Sequence, residues 1–273
     1  MSTSGSLVVV GIGIQWAGQT TLAAQRAIQR ADRVLFAVAD PWAARWVRSL
    51  NPAAESLPYG QGKTPRRSIY AEMVARILAE VRKGLKVCAV FYGHPGVLAS
   101  AAHEAVRQAR DEGFSARMLP GVSSIDCLFA DLGLDPGRDG LQIFEATDFL
   151  IRGREVDART PLVLCQIGGV GNAGVFDPSD AARIRRGLEA LVERLCQTYP
   201  AAHEAVIYEA AAHPLASSRL DRVALAALAA ARVDDISTLY VPPIARARVD
   251  PDVLERIGWD GGDGAGVDSP LVH

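Results

Sequence analysis

The sequence predicts an α/β protein made of two domains. Short apolar runs rich in β-branched residues alternate with longer amphipathic runs, the pattern of strands that alternate with helices. Three loops with paired glycines or a Pro-Gly step accompany the strand-like runs of the first half, and such loops are typical of ligand-binding turns. A second series of strand-like runs begins near residue 141, which indicates a second domain.

The first domain is expected over residues 1–120. Apolar runs predict its strands at 7–12, 33–38 and 86–91, and amphipathic runs predict helices at 21–31, 42–50 and 98–110. A further helix is expected after Pro65, since proline suits the first turn of a helix. Its buried stripe is predicted from apolar residues that recur every four positions, at Ile69, Met73, Ile77 and Val81.

The second domain is expected over residues 121–258. Its strands are predicted at 141–145, 161–167, 205–209 and 237–241. Helical patterns at 181–196 and 220–231 separate the later strands. Residues 259–273 are rich in glycine and aspartate, and we expect them to form a disordered tail.

Composition and charge exclude several classes of protein. Of 273 residues 49% are apolar, enough for one large core or two modest ones. The 29 basic and 31 acidic residues are intermixed, so nucleic acid is not an expected partner. No apolar run could span a membrane and no signal peptide is recognised, so we expect a cytoplasmic protein without a membrane partner. Four cysteines lie far apart and are interpreted as reduced residues, without a metal site: Cys88, Cys127, Cys165 and Cys196.

The most informative segment is residues 91–97, FYGHPGV, which closes the strand predicted at 86–91 and precedes a helix. Gly93 and Gly96 allow backbone to approach a bound molecule closely, and Pro95 fixes one torsion and removes a donor. A tight turn between a strand and a helix would use the same residues. The motif alone therefore favours neither a ligand loop nor a simple turn.

Two other loops accompany this segment: residues 11–13, GIG, after the first strand, and residues 120–124, PGVSS. Three such loops in this order resemble the tetrapyrrole methylase family of S-adenosylmethionine-dependent enzymes, over residues 6–243. Most members that act on corrinoid rings carry an aspartate in place of His94. The histidine form, with a tyrosine before it and Arg-x-x-x-Tyr upstream, resembles the borosin peptide backbone α-N-methyltransferases, particularly the discrete bacterial form. The resemblance implies two α/β domains with an S-adenosylmethionine cleft between them.

The resemblance also implies which residues contact the cofactor, S-adenosylmethionine. Backbone groups of the loop at 92–97 and the two serines of the third loop would hold its methionine portion and ribose. The predicted set is Tyr92, Gly93, His94, Pro95, Gly96, Val97, Ser123, Ser124, Gln166, Tyr208, Ser237 and Thr238. Ser237 and Thr238 equally suit the start of a strand. His94 could be a general base, but we interpret it as a hydrogen-bonding partner that shapes the loop.

Four residues are predicted to act on the substrate: Tyr59, Arg66, Tyr70 and Tyr92. Arg66 and Tyr70 lie one helical turn apart, on the same side of the helix; the alternative is a solvated charge beside a half-buried core edge. Methylating a backbone amide requires loss of its proton and stabilisation of the charge that moves onto oxygen. A nearby guanidinium favours the phenolate form of a tyrosine. We therefore predict Tyr70 as the base and Arg66 as its activator and oxyanion partner, with Tyr59 and Tyr92 orienting the amide, although the base could be exchanged among the tyrosines.

The resemblance implies a homodimer that binds two copies of a precursor peptide. Because the chain ends before the long extension that carries the substrate in fused borosins, we expect that peptide to be a separate ribosomally made chain. One alternative is a tetrapyrrole C-methyltransferase, in which Lys63, Arg66 and Arg67 would pair with carboxylates. Another is a non-catalytic ligand-binding or scaffold protein. NAD is not expected, because the Gly-x-Gly step lacks the third glycine of a dinucleotide fingerprint.

Overall fold

The computed structural model describes residues 5–38, 40–58 and 64–259. The chain forms two compact units, each with one five-stranded sheet, which confirms the predicted α/β fold. The first unit comprises Met1–Leu132, Asn172–Ser179 and Glu209–Arg219, and the second comprises Gly133–Gly171, Asp180–Tyr208 and Leu220–His273. The first unit thus includes two segments from the second half of the chain. The predicted domain boundary near residue 121 stays a prediction.

The sheet of the first unit is parallel throughout. Its strands are β1 (Ser6–Gly11), β2 (Arg33–Ala37), β3 (Ala54–Ser56), β4 (Lys86–Phe91) and β5 (Ser115–Met118). They lie in the order β3-β2-β4-β1-β5. Strands β1, β2 and β4 lie where their apolar runs predict them. No prediction covers β3 and β5, which are short and carry polar residues.

The helices of the first unit cover both faces of this sheet. They are α1 (Leu22–Arg30), α2 (Pro41–Leu50), α3 (Arg66–Arg82), α4 (Ser100–Asp111) and α5 (Ser124–Leu132). α1 and α2 contribute to one apolar cluster, and α3 and α4 to another on the opposite face. All four predicted stripe positions of α3 are buried. α2 buries Ala43 and Val47, whereas Trp42 is exposed.

The connections from the adjacent strands β1 and β4 leave in opposite directions. β1 leads through α1 to β2, which lies beyond β4, whereas β4 leads through α4 to β5, which lies beyond β1. α1 and α4 pack on opposite faces of the sheet. In α/β proteins such a reversal opens a crevice at the carboxyl ends of the two strands, where ligands bind. The loops after β1 and β4 therefore lie at the candidate site of this unit.

The sheet of the second unit has mixed strand directions. Its strands are β6 (Gln142–Glu145), β7 (Leu162–Cys165), β8 (Glu204–Glu209), β9 (Arg219–Ala224) and β10 (Thr238–Val241). They lie in the order β6-β7-β10-β8-β9. The helices of this part of the chain are α6 (Pro136–Asp139), α7 (Ala146–Ile151), α8 (Ala181–Leu195) and α9 (Pro251–Arg256). α7 and α8 pack with the sheet around one buried apolar cluster.

The helix predicted over residues 220–231 is wrong. Its first part belongs to β9, at the edge of the sheet beside β8, and residues Leu225–Ala230 form a 3₁₀ helix. Leu225 and Leu228 are buried, and their spacing of three suits the 3₁₀ period. Arg222 of β9 pairs with Glu204 of β8, at 2.5 Å. The periodicity of a single segment does not reveal such cross-strand pairing, and for this reason the pattern predicted a helix here.

Within the described residues, no helix has the length and apolar character needed to cross a membrane. The same residues contain no group of three or more His, Cys, Asp or Glu side chains that could hold a metal ion. All four cysteines are free; two of them, Cys88 and Cys165, are buried. Burial raises the pKa of both thiols to about 12. These two thiols are therefore unreactive at neutral pH.

Replacing Ile77 by alanine tests the buried stripe of α3. Because Ile77 is fully buried, we expect Ile77→Ala to lower the free energy of unfolding by about 2–5 kcal/mol, measured by urea denaturation. Glu72 lies on the exposed side of the same helix, and Glu72→Ala should change the same quantity by less than about 0.5 kcal/mol. Equal losses in the two variants would contradict the packing described.

Candidate functional site

The loops after β1 and β4 are joined by an isolated antiparallel bridge. Gly13 N donates to Gly93 O at 3.3 Å, and Gly93 N donates to Gly13 O at 3.0 Å. Both residues have positive φ, 77° for Gly13 and 68° for Gly93. Glycine adopts this conformation without the steric cost that a side chain would add. The bridge therefore depends on glycine at both positions.

Gly11 ends β1 at a point where the backbone of the other loop passes very close. A Cβ atom at Gly11 would lie 2.0 Å from the carbonyl oxygen of Gly93 and 2.7 Å from Cδ of Pro95. Neither a backbone carbonyl nor a buried proline ring can move aside without shifting the loop. Gly11 is therefore required for space rather than for its φ.

His94 shapes the loop after β4 by accepting a hydrogen bond. Its Nδ1 accepts from Gly96 N at 2.9 Å. The carbonyl of Gly96 in turn accepts a hydrogen bond from His103 Nε2 at 2.9 Å. Since Nδ1 accepts, it is the unprotonated nitrogen of the ring. This geometry fits the interpretation of His94 as a loop-shaping partner.

The same loop presents three apolar side chains to solvent. Tyr92, Val97 and Leu98 are 37%, 39% and 49% exposed. Leu98 has φ 53°, an uncommon conformation for a residue with a bulky side chain. The helix predicted from residue 98 begins two residues later, at Ser100. Strained residues are frequent at ligand-binding loops, so Leu98 joins the candidate site although no sequence pattern predicts it.

Gln19 organises the loop after β1. Its Oε1 accepts from Ile14 N at 2.8 Å and from Gln15 N at 3.0 Å. Its Nε2 donates to Cys127 Sγ of α5 at 3.3 Å. Gln19 therefore links the first loop to the helix that follows the third. No sequence pattern predicts this role, because two of its three partners are backbone amides.

The third predicted loop leads into α5, and Ser123 caps that helix. Ser123 Oγ donates to Asp126 Oδ2 at 2.6 Å and accepts from Asp126 N at 3.3 Å. Ser123 N donates to the same carboxylate oxygen at 2.7 Å. This is a reciprocal capping box, which the spacing of a serine and an acidic residue three positions later could have indicated. The predicted cofactor contacts of Ser123 and Ser124 stay predictions.

Arg66 and Tyr70 lie in the first two turns of α3, on the side expected from their spacing. Arg66 is half-buried. Tyr70 packs against the apolar cluster that contains Phe91, the last residue of β4. Tyr59 and Lys63 lie outside the described residues. The structure therefore places the predicted base and its arginine on a helix whose core also supports the strand that leads to Tyr92.

The four predicted cofactor residues of the second unit lie at one end of its sheet. Gln166 follows β7 with φ 59°, and Thr238 at the start of β10 pairs with Tyr208 of β8. Tyr208, Ser237 and Thr238 are each at most 3% exposed. Ser237 Oγ accepts from Asp234 N at 2.7 Å, which places that side chain in the turn before β10. Their cofactor contacts stay predictions.

The groups at the β1–β4 crevice fit S-adenosylmethionine chemically. The loops bring backbone donors and acceptors to the carboxyl edge of the sheet, where they can bind a carboxylate, an ammonium and ribose hydroxyls. Val97 and Leu98 offer exposed apolar surface suited to an adenine ring. The ring of Tyr92 can attract a cation such as a sulfonium.

Comparisons with known proteins agree with this description. Residues 6–224 match the family model of tetrapyrrole (corrin/porphyrin) methylases. The chain is 43% identical over 260 residues to the methyltransferase/ribosomally synthesized cyclic peptide omphalotin A precursor of Omphalotus olearius, covering 93% of this chain and 61% of that one. It is 40% identical over 260 residues to a methyltransferase/ribosomally synthesized type III borosin cyclic peptide precursor of Anomoporia bombycina, covering 93% of this chain and 30% of that one. The chain therefore spans about three fifths or less of the length of these relatives.

A solved structure agrees in fold. The uroporphyrin-III-C-methyltransferase from Thermus thermophilus superposes with a TM-score of 0.59 at 22% identity, covering 88% of this chain and 92% of that one. At this identity the likeness concerns the fold alone.

Gly11→Ala tests the contact between the two loops. The added methyl group would displace the Gly93 carbonyl and with it the bridge, so we expect the affinity for S-adenosylmethionine, measured by calorimetry, to fall at least about tenfold. Gly18→Ala is the control in the same loop, because its added Cβ would lie 3.8 Å from the nearest atom, Gln15 Oε1. An unchanged affinity in folded Gly11→Ala would show that the bridge does not position the ligand.

Proposed function

Since this chain belongs to the tetrapyrrole (corrin/porphyrin) methylase family of S-adenosylmethionine-dependent methyltransferases, we propose that it methylates backbone amide nitrogens of a peptide. The family predicted from the three loops is confirmed, and so is the cofactor that the family uses. One observation carries the proposal. Over 93% of its length, the chain is 40–43% identical to two proteins whose names combine a methyltransferase and a ribosomally synthesized peptide precursor.

The residues on α3 support this reaction. An amide nitrogen is a weak nucleophile because its lone pair is delocalised into the carbonyl, so its proton must be removed. Tyr70 acts as a phenolate and accepts that proton, which returns it to the neutral phenol. Arg66 donates hydrogen bonds to the amide oxygen, where the negative charge develops. When bound, S-adenosylmethionine would supply the methyl group from its sulfonium, and a neutral thioether would leave.

Two tyrosines, Tyr92 and Tyr59, position the amide. Tyr92 follows β4 directly and orients the amide together with Tyr59. Packing of the Tyr70 ring against the core of the unit holds the base in place, so little ordering is needed when the substrate binds.

We propose that the substrate is a separate precursor peptide and that two copies of the chain act on two copies of it. This follows the resemblance to the discrete form of the borosin enzymes. The two relatives described above are named as enzyme and precursor together. A direct test must therefore present the peptide both as a separate chain and fused to the C-terminus of this one.

The test is tandem mass spectrometry after co-expression of the chain with the peptide encoded beside its gene, in the separate and fused arrangements. We expect methyl groups localised to backbone nitrogens in the separate arrangement. If only the fused peptide is methylated, the proposal that the substrate is a separate chain is wrong, while the proposed backbone methylation still stands. If neither peptide is modified while purified protein methylates a precorrin at carbon, the tetrapyrrole alternative replaces the proposal.

Tyr70→Phe and Arg66→Ala test the catalytic roles. Removing the base or its partner should lower the methylation rate at least about a hundredfold, while the affinity for S-adenosylmethionine stays within about twofold. Arg67→Ala is the matched control, since Arg67 is the exposed neighbour of Arg66 on the same helix. Full activity in either site variant would contradict the mechanism.

A further inference from the structure

We propose that Asn172 is a positioning residue for methyl transfer, because it holds the turn that anchors the first turn of α3, where Arg66 lies. This inference rests on the proposed function of Arg66 and Tyr70. Asn172 belongs to the segment Asn172–Ser179, which joins the first unit from the second half of the chain. It would act through Ala173 rather than by touching the substrate.

The start of α3 is fixed from outside the helix. Pro65 occupies the N-cap position and has no side-chain oxygen that could accept a hydrogen bond. Its carbonyl accepts from Ser68 N at 3.0 Å and from Ile69 N at 3.3 Å. Arg66 N, one of the amides that a helix start leaves without an intrahelical partner, donates instead to Ala173 O at 2.9 Å. This bond ties the backbone of Arg66 to a distant segment.

Asn172 determines where that carbonyl lies. Its Oδ1 accepts from Gly174 N at 3.0 Å, and its Nδ2 donates to Val175 O at 3.1 Å. These two bonds close the turn around Ala173, as asparagine side chains commonly do. Val175 then packs against the same apolar cluster as Tyr70. The side chain of Asn172 therefore fixes the carbonyl of Ala173, which accepts from Arg66 N, relative to the apolar cluster against which Tyr70 packs.

Loss of this anchor should affect catalysis more than folding. The buried stripe of α3 begins at Ile69, so the rest of the helix stays packed if the first turn shifts. Ala173 itself is exposed, so little apolar burial depends on the turn. A displacement of about 1 Å of a catalytic group can nevertheless lower a rate about a hundredfold. Asn172 therefore affects the rate through the position of Arg66.

The experiment compares Asn172→Ala and Asn172→Asp with wild type, using the peptide encoded beside the gene. Asn172→Ala should lower kcat at least about tenfold, with KM for the peptide and affinity for S-adenosylmethionine within about threefold. Asn172→Asp keeps an acceptor for Gly174 N but loses the donor to Val175 O, so it should recover only part of the rate. Amide hydrogen exchange of Arg66 should become faster in Asn172→Ala, which a loss of catalysis from another cause would not produce.

Asp135→Ala is the matched control. Asp135 is exposed and caps α6 in the second unit, where its Oδ1 accepts from Gly137 N, two residues along the chain as in Asn172, at 2.8 Å. It should change neither kcat nor the exchange of the Arg66 amide.

Two outcomes would overturn the inference: unchanged kcat in Asn172→Ala, or a lower kcat with unchanged exchange at Arg66. If wild type methylates no peptide, the proposed function fails and the catalytic role of Asn172 fails with it. Hydrogen exchange still decides in that case whether the anchor exists.

Discussion

The backbone bridge between Gly13 and Gly93 is the interaction on which the site of the first unit depends. Strands β1 and β4 pair up to Gly11 and Phe91, but their outgoing connections then run in opposite directions. The two hydrogen bonds of the bridge hold the loops together beyond that point. They require positive φ at both glycines and an absent side chain at Gly11, where the Gly93 carbonyl fills the space of a Cβ atom. Backbone geometry thus accounts for three glycines before any ligand is considered.

Side chains extend this constraint in both directions. Gln19 holds two amides of the first loop and reaches α5 through Cys127. His94 holds the amide of Gly96 in the second loop. Each of these side chains accepts hydrogen bonds from backbone amides of its loop and so holds that loop more firmly. The result is a set of loops ordered by the protein itself, and such preorganisation lets a site bind without first ordering its own chain.

The sequence predicts those features that depend on burial. β4 begins and ends where its apolar run does, and the stripe of α3 is buried at every predicted position, because periodic apolar residues report the face that meets a core. Features that depend on distant partners were not predictable in this way. Strand β9 is defined by its pairing with β8, and Gln19 and Asn172 act on backbone amides and carbonyls, for which no residue pattern exists. Arg66 and Tyr70 became candidates through helical spacing together with a family resemblance.

Arg66 lies at a position of α3 where a positive charge is unfavourable for the helix. A cation in the first turn of a helix faces the positive end of the helix dipole, which is unfavourable by itself. Helix stability therefore does not explain an arginine at this place. Arg66 is half-buried and lies one helical turn before the core-packed Tyr70, an arrangement suited to an anion that forms during a reaction. Because an arginine at this position does not stabilise the helix start, another interaction has to hold it. The hydrogen bond from Arg66 N to the carbonyl of Ala173 is such an interaction. The segment Asn172–Ser179, which belongs to the first unit, thus supplies the carbonyl that holds the start of α3.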